Sequence, residues 1–211
     1  NYREADTRLA EYDRIGAKVD SILKQLPEEE KAGFYQLLYY PVKGCEFLNK
    51  MVLYGQKNRW YALQKRAATN SISKEVKAYY DSLQIITQGY NSLLNGKWNP
   101  VMTTRQGFAA SYFELPKLMT VSLPDAPSLG VLAEGEDVLQ GKSSIHTLPA
   151  FNTYFRQSYY VDLFNKGIIP LNWSVTTSDD WIVIDKKEGI TKLEERIWVS
   201  IDWTKVPVGE R

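Results

Sequence analysis

The spacing of hydrophobic residues changes once along this chain. From residue 3 to about residue 95, large apolar side chains recur every three or four positions, the spacing of one face of an α-helix. From about residue 128 they alternate with polar side chains, as in strands that bury one face. The pattern therefore predicts an α+β multidomain protein in which an antiparallel helical bundle is followed by an antiparallel β-sandwich.

The helical part is typical of three or four amphipathic helices. The first has its apolar positions at Tyr12, Ile15, Val19, Ile22 and Leu26, and the last at Ile72, Val76, Tyr79, Leu83, Ile86, Tyr90 and Leu93. Pro27 suits the first turn of a second helix, and the acidic run 28–30 suits the positive end of its dipole. Because each helix carries one apolar stripe, we expect the helices to bury these stripes against one another.

A proline lies inside the second helix. The apolar repeat continues across Pro41, at Phe34, Leu38, Val42, Cys45, Leu48 and Val52. Proline in a helix interior costs about 3 kcal/mol or more, so a repeat that crosses it predicts one kinked helix. We expect this stripe to face the bundle core, with Cys45 as a small buried apolar residue, and we take Gly55 as a candidate break.

An irregular stretch, residues 97–127, separates the two patterns. It contains four prolines but also many large apolar residues, which predicts an ordered connecting segment. The predicted domains are therefore a helical bundle over 1–96, this segment over 97–127, and a β-sandwich over 128–211. Because the chain stops on a turn signal directly after a strand pattern, we expect the sandwich to lack one or more final strands.

Tryptophans mark both faces of the predicted strands. Trp173 alternates with Leu171 and Val175 as a core residue does, so we expect it to be buried. Trp181 and Trp198 are candidates for the outer face. Since aromatic faces contact sugar rings through apolar surface, these two residues are candidates for sugar binding or for an interface.

Charge and composition exclude several kinds of site. The chain has 26 basic and 25 acidic residues, and this balance gives no electrostatic footprint for nucleic acid or for an anionic membrane. No apolar run approaches the roughly 20 residues of a membrane span. One histidine and one cysteine exclude the usual zinc patterns, and no glycine-rich phosphate loop is present. We expect no cofactor.

The acidic residues offer one weak metal candidate. Glu134, Glu136 and Asp137 cluster in a glycine-containing loop, where they form either a solvated turn or a set of oxygen ligands for calcium. The other acidic pairs flank helices and strands, and we interpret them as the polar ends of these elements. We therefore assign no catalytic residue from the sequence pattern.

A series of short motifs gives the chain a family resemblance. They are Glu11-Tyr12-Asp13-Arg14, Leu26-Pro27-Glu28-Glu29, Ala32-Gly33-Phe34-Tyr35-Gln36-Leu37, Tyr40-Pro41-Val42-Lys43, Lys57-Asn58-Arg59, Gln64-Lys65-Arg66, Ala68-Thr69-Asn70, Gly96-Lys97-Trp98-Asn99 with Met102, the segment from Tyr160 to Gly167, and that from Val199 to Trp203. In this order they resemble glycoside hydrolase family 115, the xylan α-1,2-glucuronidases. The resemblance covers nearly the whole chain, although none of the motifs is catalytic.

The resemblance implies a part of a larger enzyme. Family members have an N-terminal α/β domain, a catalytic (β/α)-barrel, a helical bundle and a β-sandwich, and this chain is similar to the last two. The catalytic carboxylates belong to the barrel, so the resemblance carries over no catalytic residue and implies that this chain alone is inactive. It also implies a homodimeric parent, contact with the missing barrel, a xylan-type polysaccharide as substrate, and a secreted or periplasmic location.

Within this resemblance, Lys97, Trp98 and Asn99 are the residues expected nearest the substrate cleft. The chain departs from the family after Met102, where many members have an acidic residue and a histidine but this one reads Thr-Thr-Arg-Gln. The leading hypothesis is a non-catalytic supporting portion of a glucuronidase, with an exposed apolar patch. The alternative is a carbohydrate-binding sandwich with a helical spacer, which requires a flat row of exposed tryptophans or tyrosines. A scaffold protein unrelated to sugars is the third.

Overall fold

The computed structural model describes residues 4–102, 114–136, 145–207 and 209. Its helices are α1 (Glu4–Gln25), α2 (Glu28–Phe34), a π-helical turn (Tyr35–Tyr39), α3 (Tyr40–Leu63) and α4 (Ala68–Gly96). Its strands are β1 (Leu129–Ala133), β2 (Ser158–Asn165), β3 (Leu171–Ser174), β4 (Ile182–Ile184), β5 (Glu188–Thr191) and β6 (Glu194–Ile201). The predicted class, helices followed by antiparallel strands, is confirmed. No helix in the described ranges combines the length and the apolar character that a membrane crossing requires.

The chain divides by its contacts into two compact units. The helical unit comprises residues 1–58 and 72–118, and the β unit comprises residues 59–71 and 119–211. The end of α3, the turn after it and the start of α4 therefore belong to the β unit. The sequence-based boundaries at 96 and 127 remain predictions, because they concern which segments fold independently.

Side-chain contacts in the helical unit establish how its helices run. On α3, Lys43 contacts Asp20 of α1 at 3.1 Å, and Lys50, farther along, contacts Asp13, which lies earlier. Rings pair in the same inverse order between α3 and α4, Tyr40 with Tyr90 at 5.0 Å and Tyr54 with Tyr79 at 5.7 Å. Both α1 and α4 are thus antiparallel to α3. The buried apolar residues of the unit are Val19, Met51, Ile72, Val76, Leu83, Ile86 and Tyr90.

A π-helical turn precedes the internal proline. The backbone N–H of Tyr40 donates to the carbonyl oxygen of Tyr35, five residues earlier. Because a π turn is wider than an α turn, it provides room for the Pro41 ring beside the Leu37 carbonyl. The helix then continues to Leu63. The predicted continuity across Pro41 is confirmed, whereas the break expected at Gly55 is wrong, since a Cβ there would lie 3.1 Å from Pro116 Cγ and glycine serves close packing instead.

The expectation that the apolar stripe of α3 faces the bundle core is wrong. Cys45 is exposed, and Leu38 and Val52 are 51% and 42% exposed. The buried positions of α3 are instead Lys43, Glu46, Lys50, Met51, Gly55 and Asn58. The physical reason is that α1 presents carboxylates to α3, and Gly16 leaves space that a side chain would fill: a Cβ there would lie 2.0 Å from Glu46 Oε2.

The β unit is a small antiparallel sandwich. One sheet has the strand order β1-β2-β6-β4 and the other pairs β3 with β5. Leu163 and Ile197 of the first sheet pack with Leu171 and Trp173 of the second in one buried cluster. The expected burial of Trp173 is therefore confirmed. On the other face of the larger sheet lie the cross-strand pairs Asp162–Arg196 and Tyr160–Trp198, which build the site described next.

Candidate functional site

Arg66 forms the centre of a buried ionic cluster in the β unit. It lies in the turn between α3 and α4 and is only 1% exposed. Its guanidinium carbon is 4.3 Å from the ring centre of Tyr61 and 4.0 Å from that of Phe164. Nη1 donates to Glu194 Oε2 at 3.0 Å. Stacking between two rings uses the flat, weakly hydrated guanidinium, which is why arginine suits this position better than lysine.

A second arginine shares the carboxylates of this cluster. Arg196 Nε donates to Asp162 Oδ1 at 2.7 Å and Nη2 donates to Oδ2 at 3.2 Å, a forked ion pair. Asp162 Oδ2 also lies 3.5 Å from Arg66 Nη2. The Arg196 guanidinium stacks on the Tyr160 ring at 3.7 Å. Two arginines and two carboxylates thus form a cluster, named here the Arg66 cluster, whose formal charges cancel.

The surroundings of the Arg66 cluster shift the pKa of Arg196 and that of the neighbouring Tyr61. Burial, followed by the charge of Glu194, raises the pKa of Tyr61 above its usual range. Burial acts to lower the pKa of Arg196, but the hydrogen bond and charge of Asp162 outweigh it and raise that pKa. The phenol therefore stays protonated and donates to Glu194 Oε1 at 3.0 Å. Tyr61 and Arg196, each held in its protonated state, suit structural pairing and are poor general acids or bases.

Asn165 is a buried hydrogen-bonding centre next to the Arg66 cluster. Its Oδ1 accepts the N–H groups of Ser128 and Gly167, and its Nδ2 donates to the carbonyl oxygens of Ile169 and Lys192. Its own carbonyl oxygen accepts the Ala67 N–H at 2.8 Å. One amide side chain therefore joins three loops to the end of β2, which explains why a fully buried polar residue is tolerated there.

Sequence reasoning did not single out the residues that form this site. Arg66, Asp162 and Asn165 all lie inside motifs that carry the family resemblance, but their roles depend on partners far away along the chain. One local signal was available, because Asp162 and Asn165 are short polar residues next to the apolar core residues of β2. Polar residues buried beside such positions require partners, which is itself a reason to look for a cluster.

In the calcium candidate, the carboxylates of Glu134 and Glu136 are engaged in hydrogen bonds within the protein. Glu134 Oε2 accepts the Tyr160 N–H at 2.9 Å. Glu136 accepts the N–H groups of Ala133 and Thr147 and pairs with His146 Nδ1 at 2.8 Å. Asp137 lies outside the described residues. In the part of the chain that the structure describes, no three histidine, cysteine or acidic residues come together as a metal site would need.

Glu136 has an altered acidity. Partial burial acts to raise its pKa, but the N–H of Ala133, the imidazole of His146 and the N–H of Thr147 together lower that pKa below its usual value. The carboxylate is therefore ionised at neutral pH. Glu136 thereby ties the backbone at Thr147 to the end of β1 at Ala133. This contact between two backbone segments is named here the latch.

The substrate-proximal candidates lie in a turn after α4. The N–H of Asn99 donates to the Gly96 carbonyl oxygen at 3.0 Å, and Lys97 Nζ lies 5.1 Å from the centre of the Trp98 ring. Trp98 is half-buried, and its Nε1 has no hydrogen-bond partner among the described residues. Lys97 and Asn99 are exposed. The expected role of these three residues near a substrate stays a prediction.

The sugar-binding candidates are half-buried rather than displayed in a flat row. Trp198 packs edge-on against Tyr160, with ring centres 5.8 Å apart, on the face of the larger sheet opposite the sandwich core. Trp181 is also half-buried. The most exposed aromatic side chains of the β unit are instead Tyr154 and Phe155, at 89% and 65%. A role of Trp181 and Trp198 in binding or at an interface stays a prediction.

A groove of about 640 Å³ lies in the helical unit. It is lined by Leu23, Lys24, Glu28, Lys31, Ala32, Tyr35, Leu93 and Leu94. Glu28 is the only acidic residue in this lining, and it pairs with Lys31 at 2.7 Å. Because glycoside hydrolysis usually uses two carboxyl groups across the scissile bond, the groove does not have the composition of a hydrolytic site.

Comparison with known proteins gives one kind of likeness. No protein-family model matches the chain, and no curated protein matches it. Among solved structures, it is similar to that of a family GH115 4-O-methyl-α-glucuronidase with specificity for decorated arabinogalactans, at 16% identity and a TM-score of 0.47. The match covers 95% of this chain and 32% of that structure, so the chain spans about a third of its length. A likeness at this level carries no information about activity.

Proposed function

We propose that this chain is the non-catalytic C-terminal portion of a glycoside hydrolase related to the xylan α-1,2-glucuronidases. The observation that carries the proposal is that several residues in the motifs that resemble the family stabilise the fold. Arg66, Asp162 and Asn165 are all buried, and each is bound to distant segments of the β unit. Such residues support an architecture and do not contact a substrate.

The proposed role is to support a catalytic barrel in the same parent protein. The sequence resemblance supplies the expectation of the barrel and of a glucuronoxylan-type substrate, and with it the expectation of export. The exposed large apolar side chains of the helical unit, such as Leu37 at 77%, fit a surface that another part of a larger protein covers.

The first test is release of uronic acid from glucuronoxylan by this chain at high protein concentration, beside a heat-inactivated control and an active α-glucuronidase. We expect no release above the heat-inactivated control. Release that persists through purification would place the chemistry in this chain and overturn the supporting role.

The second test uses the full-length protein that contains this chain. We expect it to release uronic acid, and we expect Asn165→Ala to lower its melting temperature while the kcat per folded molecule and its pH profile stay unchanged. A changed pH profile would mean that the β unit acts on the reacting groups. No uronic acid release by the intact wild-type protein would argue against the whole assignment.

A second candidate function is carbohydrate binding by the β unit. The observation that favours it is the exposure of two adjacent aromatic side chains, Tyr154 and Phe155. Affinity electrophoresis in gels that contain glucuronoxylan tests it. This function requires retarded migration of the wild-type chain and loss of the retardation in Tyr154→Ala, with Trp198→Ala as the test of the half-buried candidate. Unretarded migration of the wild-type chain excludes this candidate.

A further inference from the structure

The groove in the helical unit has the size and the mixed lining of a small-molecule site. Its volume of about 640 Å³ lies within the roughly 300–1,000 Å³ that is usual for such sites. Five of its lining residues are apolar: Leu23, Ala32, Tyr35, Leu93 and Leu94. The other three are charged: Lys24, Glu28 and Lys31. These residues come from α1, α2, the π-helical turn and the end of α4, so four elements of the helical unit line one groove.

The ring of Tyr35 is held in place beside the groove. Its hydroxyl group donates to the carbonyl oxygen of Ile86 at 3.0 Å. Gly89 leaves room for that hydroxyl group, because a Cβ added to Gly89 would lie 2.5 Å from the hydroxyl oxygen. Since the donor is used within the protein, Tyr35 contributes the carbon surface of its ring to the groove. A wall that is fixed in this way binds a ligand without first losing conformational freedom.

Leu94 has a backbone conformation that leucine rarely adopts. Its φ of 51° and ψ of 48° lie in the left-handed region, which glycine enters without a steric penalty. Other residues held in this region cost stability, and they are concentrated at ligand-binding and active sites. The Leu94 side chain lines the groove and is 56% exposed, so packing in the protein interior does not account for its conformation. The position of this strained leucine therefore points to the groove as a binding site.

The charges of the lining favour an anionic ligand. Glu28 and Lys31 pair at 2.7 Å, so their charges cancel. Lys24 has no ion-pair partner within the described part of the chain. One uncompensated positive charge therefore lies next to an apolar surface. This combination complements a ligand with an apolar body and a single negative charge.

We propose that the groove binds an aliphatic monocarboxylate, with its alkyl chain against the apolar lining and its carboxylate at Lys24. Four of the five apolar lining residues are aliphatic, which suits a flexible chain. A sugar is a poorer fit, because its hydroxyl groups require hydrogen-bonding partners and the Tyr35 hydroxyl group is already engaged. The ligand belongs to a different chemical class from the polysaccharide of the proposed function, and its binding does not depend on that function.

Isothermal titration calorimetry of the whole chain with decanoate tests the ligand class. We expect saturable binding with a dissociation constant of about 0.1 mM, which is ordinary for a ligand of about a dozen non-hydrogen atoms. Decylamine has the same alkyl chain and the opposite charge, and we expect it to bind at least about tenfold more weakly. 2-Naphthoate carries the same charge on a flat ring system and should also bind more weakly than decanoate. All three compounds are used below the concentrations at which they form micelles.

A matched pair of charge reversals tests the place of the carboxylate. Lys24→Glu replaces the unpaired ammonium group of the lining, and we expect it to raise the dissociation constant for decanoate about tenfold or more. Lys18→Glu changes the net charge by the same amount at an exposed position of α1 outside the lining, and we expect less than about a twofold effect. Circular dichroism of both variants verifies that the helices are intact.

A second pair of variants separates binding from stability. Leu94→Gly removes the apolar side chain and the backbone strain together. We expect its melting temperature to stay the same or rise, while the dissociation constant for decanoate increases about threefold or more. Asn95→Gly is the control, because Asn95 also has a positive φ, of 58°, but does not line the groove. We expect Asn95→Gly to bind decanoate as the wild-type chain does.

Each contrary result overturns the proposal. No saturable binding of decanoate, or equal binding of decylamine, would remove the alkyl carboxylate as the ligand, and tighter binding of 2-naphthoate would replace it with an aromatic one. Equal effects of Lys18→Glu and Lys24→Glu would place the carboxylate elsewhere. An unchanged dissociation constant in Leu94→Gly would mean that the ligand lies outside the groove. Since none of these measurements uses uronic acid release, their failure leaves the proposed function untouched.

Discussion

The two units of this protein both bury charge, but they stabilise it by different means. In the helical unit, Lys43 and Lys50 share one carboxylate, with contacts of 2.6 Å and 2.7 Å to the two oxygens of Glu46. In the β unit, Arg66 has two carboxylates and two aromatic rings as partners. The two lysines therefore share one buried acid, and their other carboxylates, Asp20 and Asp13, are partly exposed, whereas the buried Arg66 has two carboxylates and two rings.

The largest effect is expected from Glu46→Ala, which removes the carboxylate shared by Lys43 and Lys50. The substitution leaves Lys43 with Asp20 and Lys50 with Asp13, both partly exposed. We therefore expect the free energy of unfolding to fall by about 3 kcal/mol, the lower end of the cost of breaking a buried pair. Urea unfolding followed by far-ultraviolet circular dichroism measures it. Glu11→Ala is the control, because the Glu11–Arg14 pair is exposed and should contribute less than about 1 kcal/mol. Similar losses in both variants would contradict the special role of Glu46.

Arg66→Lys should have a smaller effect and tests the other half of the comparison. The charge is kept, but stacking between Tyr61 and Phe164 and the fork of N–H donors are lost, so we expect a loss of about 2 kcal/mol. Tryptophan fluorescence during urea unfolding reports on it. Arg196→Lys, at a partly exposed pair, is the control with an expected loss of about 1 kcal/mol. A loss for Arg66→Lys above that of Glu46→Ala would reverse the comparison.

Alkaline pH should weaken the helical unit. Burial, followed by the charge of Asp20, raises the pKa of Tyr39 from 10.0 to about 12. Because the folded state keeps this phenol protonated after the unfolded chain has lost its proton, stability is complete below about pH 10 and falls as the pH rises towards 12. Ultraviolet absorbance during titration of the wild-type chain and of Tyr39→Phe gives the pKa by difference. A difference curve centred at the ordinary value would contradict the burial of Tyr39.

Acid should act on the β unit, and this is the smallest effect. The pKa of Glu136 is lowered: burial opposes this shift, but donors from Ala133, His146 and Thr147 outweigh it. The latch therefore contributes stability that is present above the ordinary carboxyl pKa and is lost as the pH falls through the folded-state pKa. Glu136→Gln should flatten the acid limb of a plot of melting temperature against pH. An unchanged acid limb would mean that the latch contributes nothing.

The periodic part of the fold could be predicted from the sequence because periodicity reports on local geometry. The repeat of α4 placed Ile72, Val76 and Leu83 in the interior, and alternation placed Trp173 in the sandwich core. The same reasoning failed for α3. A stripe such as Leu38 to Val52 shows that a helix has an apolar side, but it does not show which side its neighbours occupy.

The Arg66 cluster lay beyond sequence reasoning for a different physical reason. Arg66 and Glu194 are 128 positions apart, and Arg66 and Phe164 are nearly a hundred apart. Charge pairs of this kind have no period, so only the fold reveals them. The glycines gave a similar lesson, since Gly55 read as a helix breaker but permits the approach of Pro116.

The assignment of residues 59–71 to the β unit has a consequence for truncation. A cut anywhere in the stretch from 97 to 118 gives an N-terminal fragment that retains Arg66 but loses Asp162 and Glu194. The complementary fragment retains both carboxylates without their arginine. Neither piece of such a split polypeptide is self-sufficient, so excision for expression or crystallisation must keep the chain from α3 to β6 in one piece.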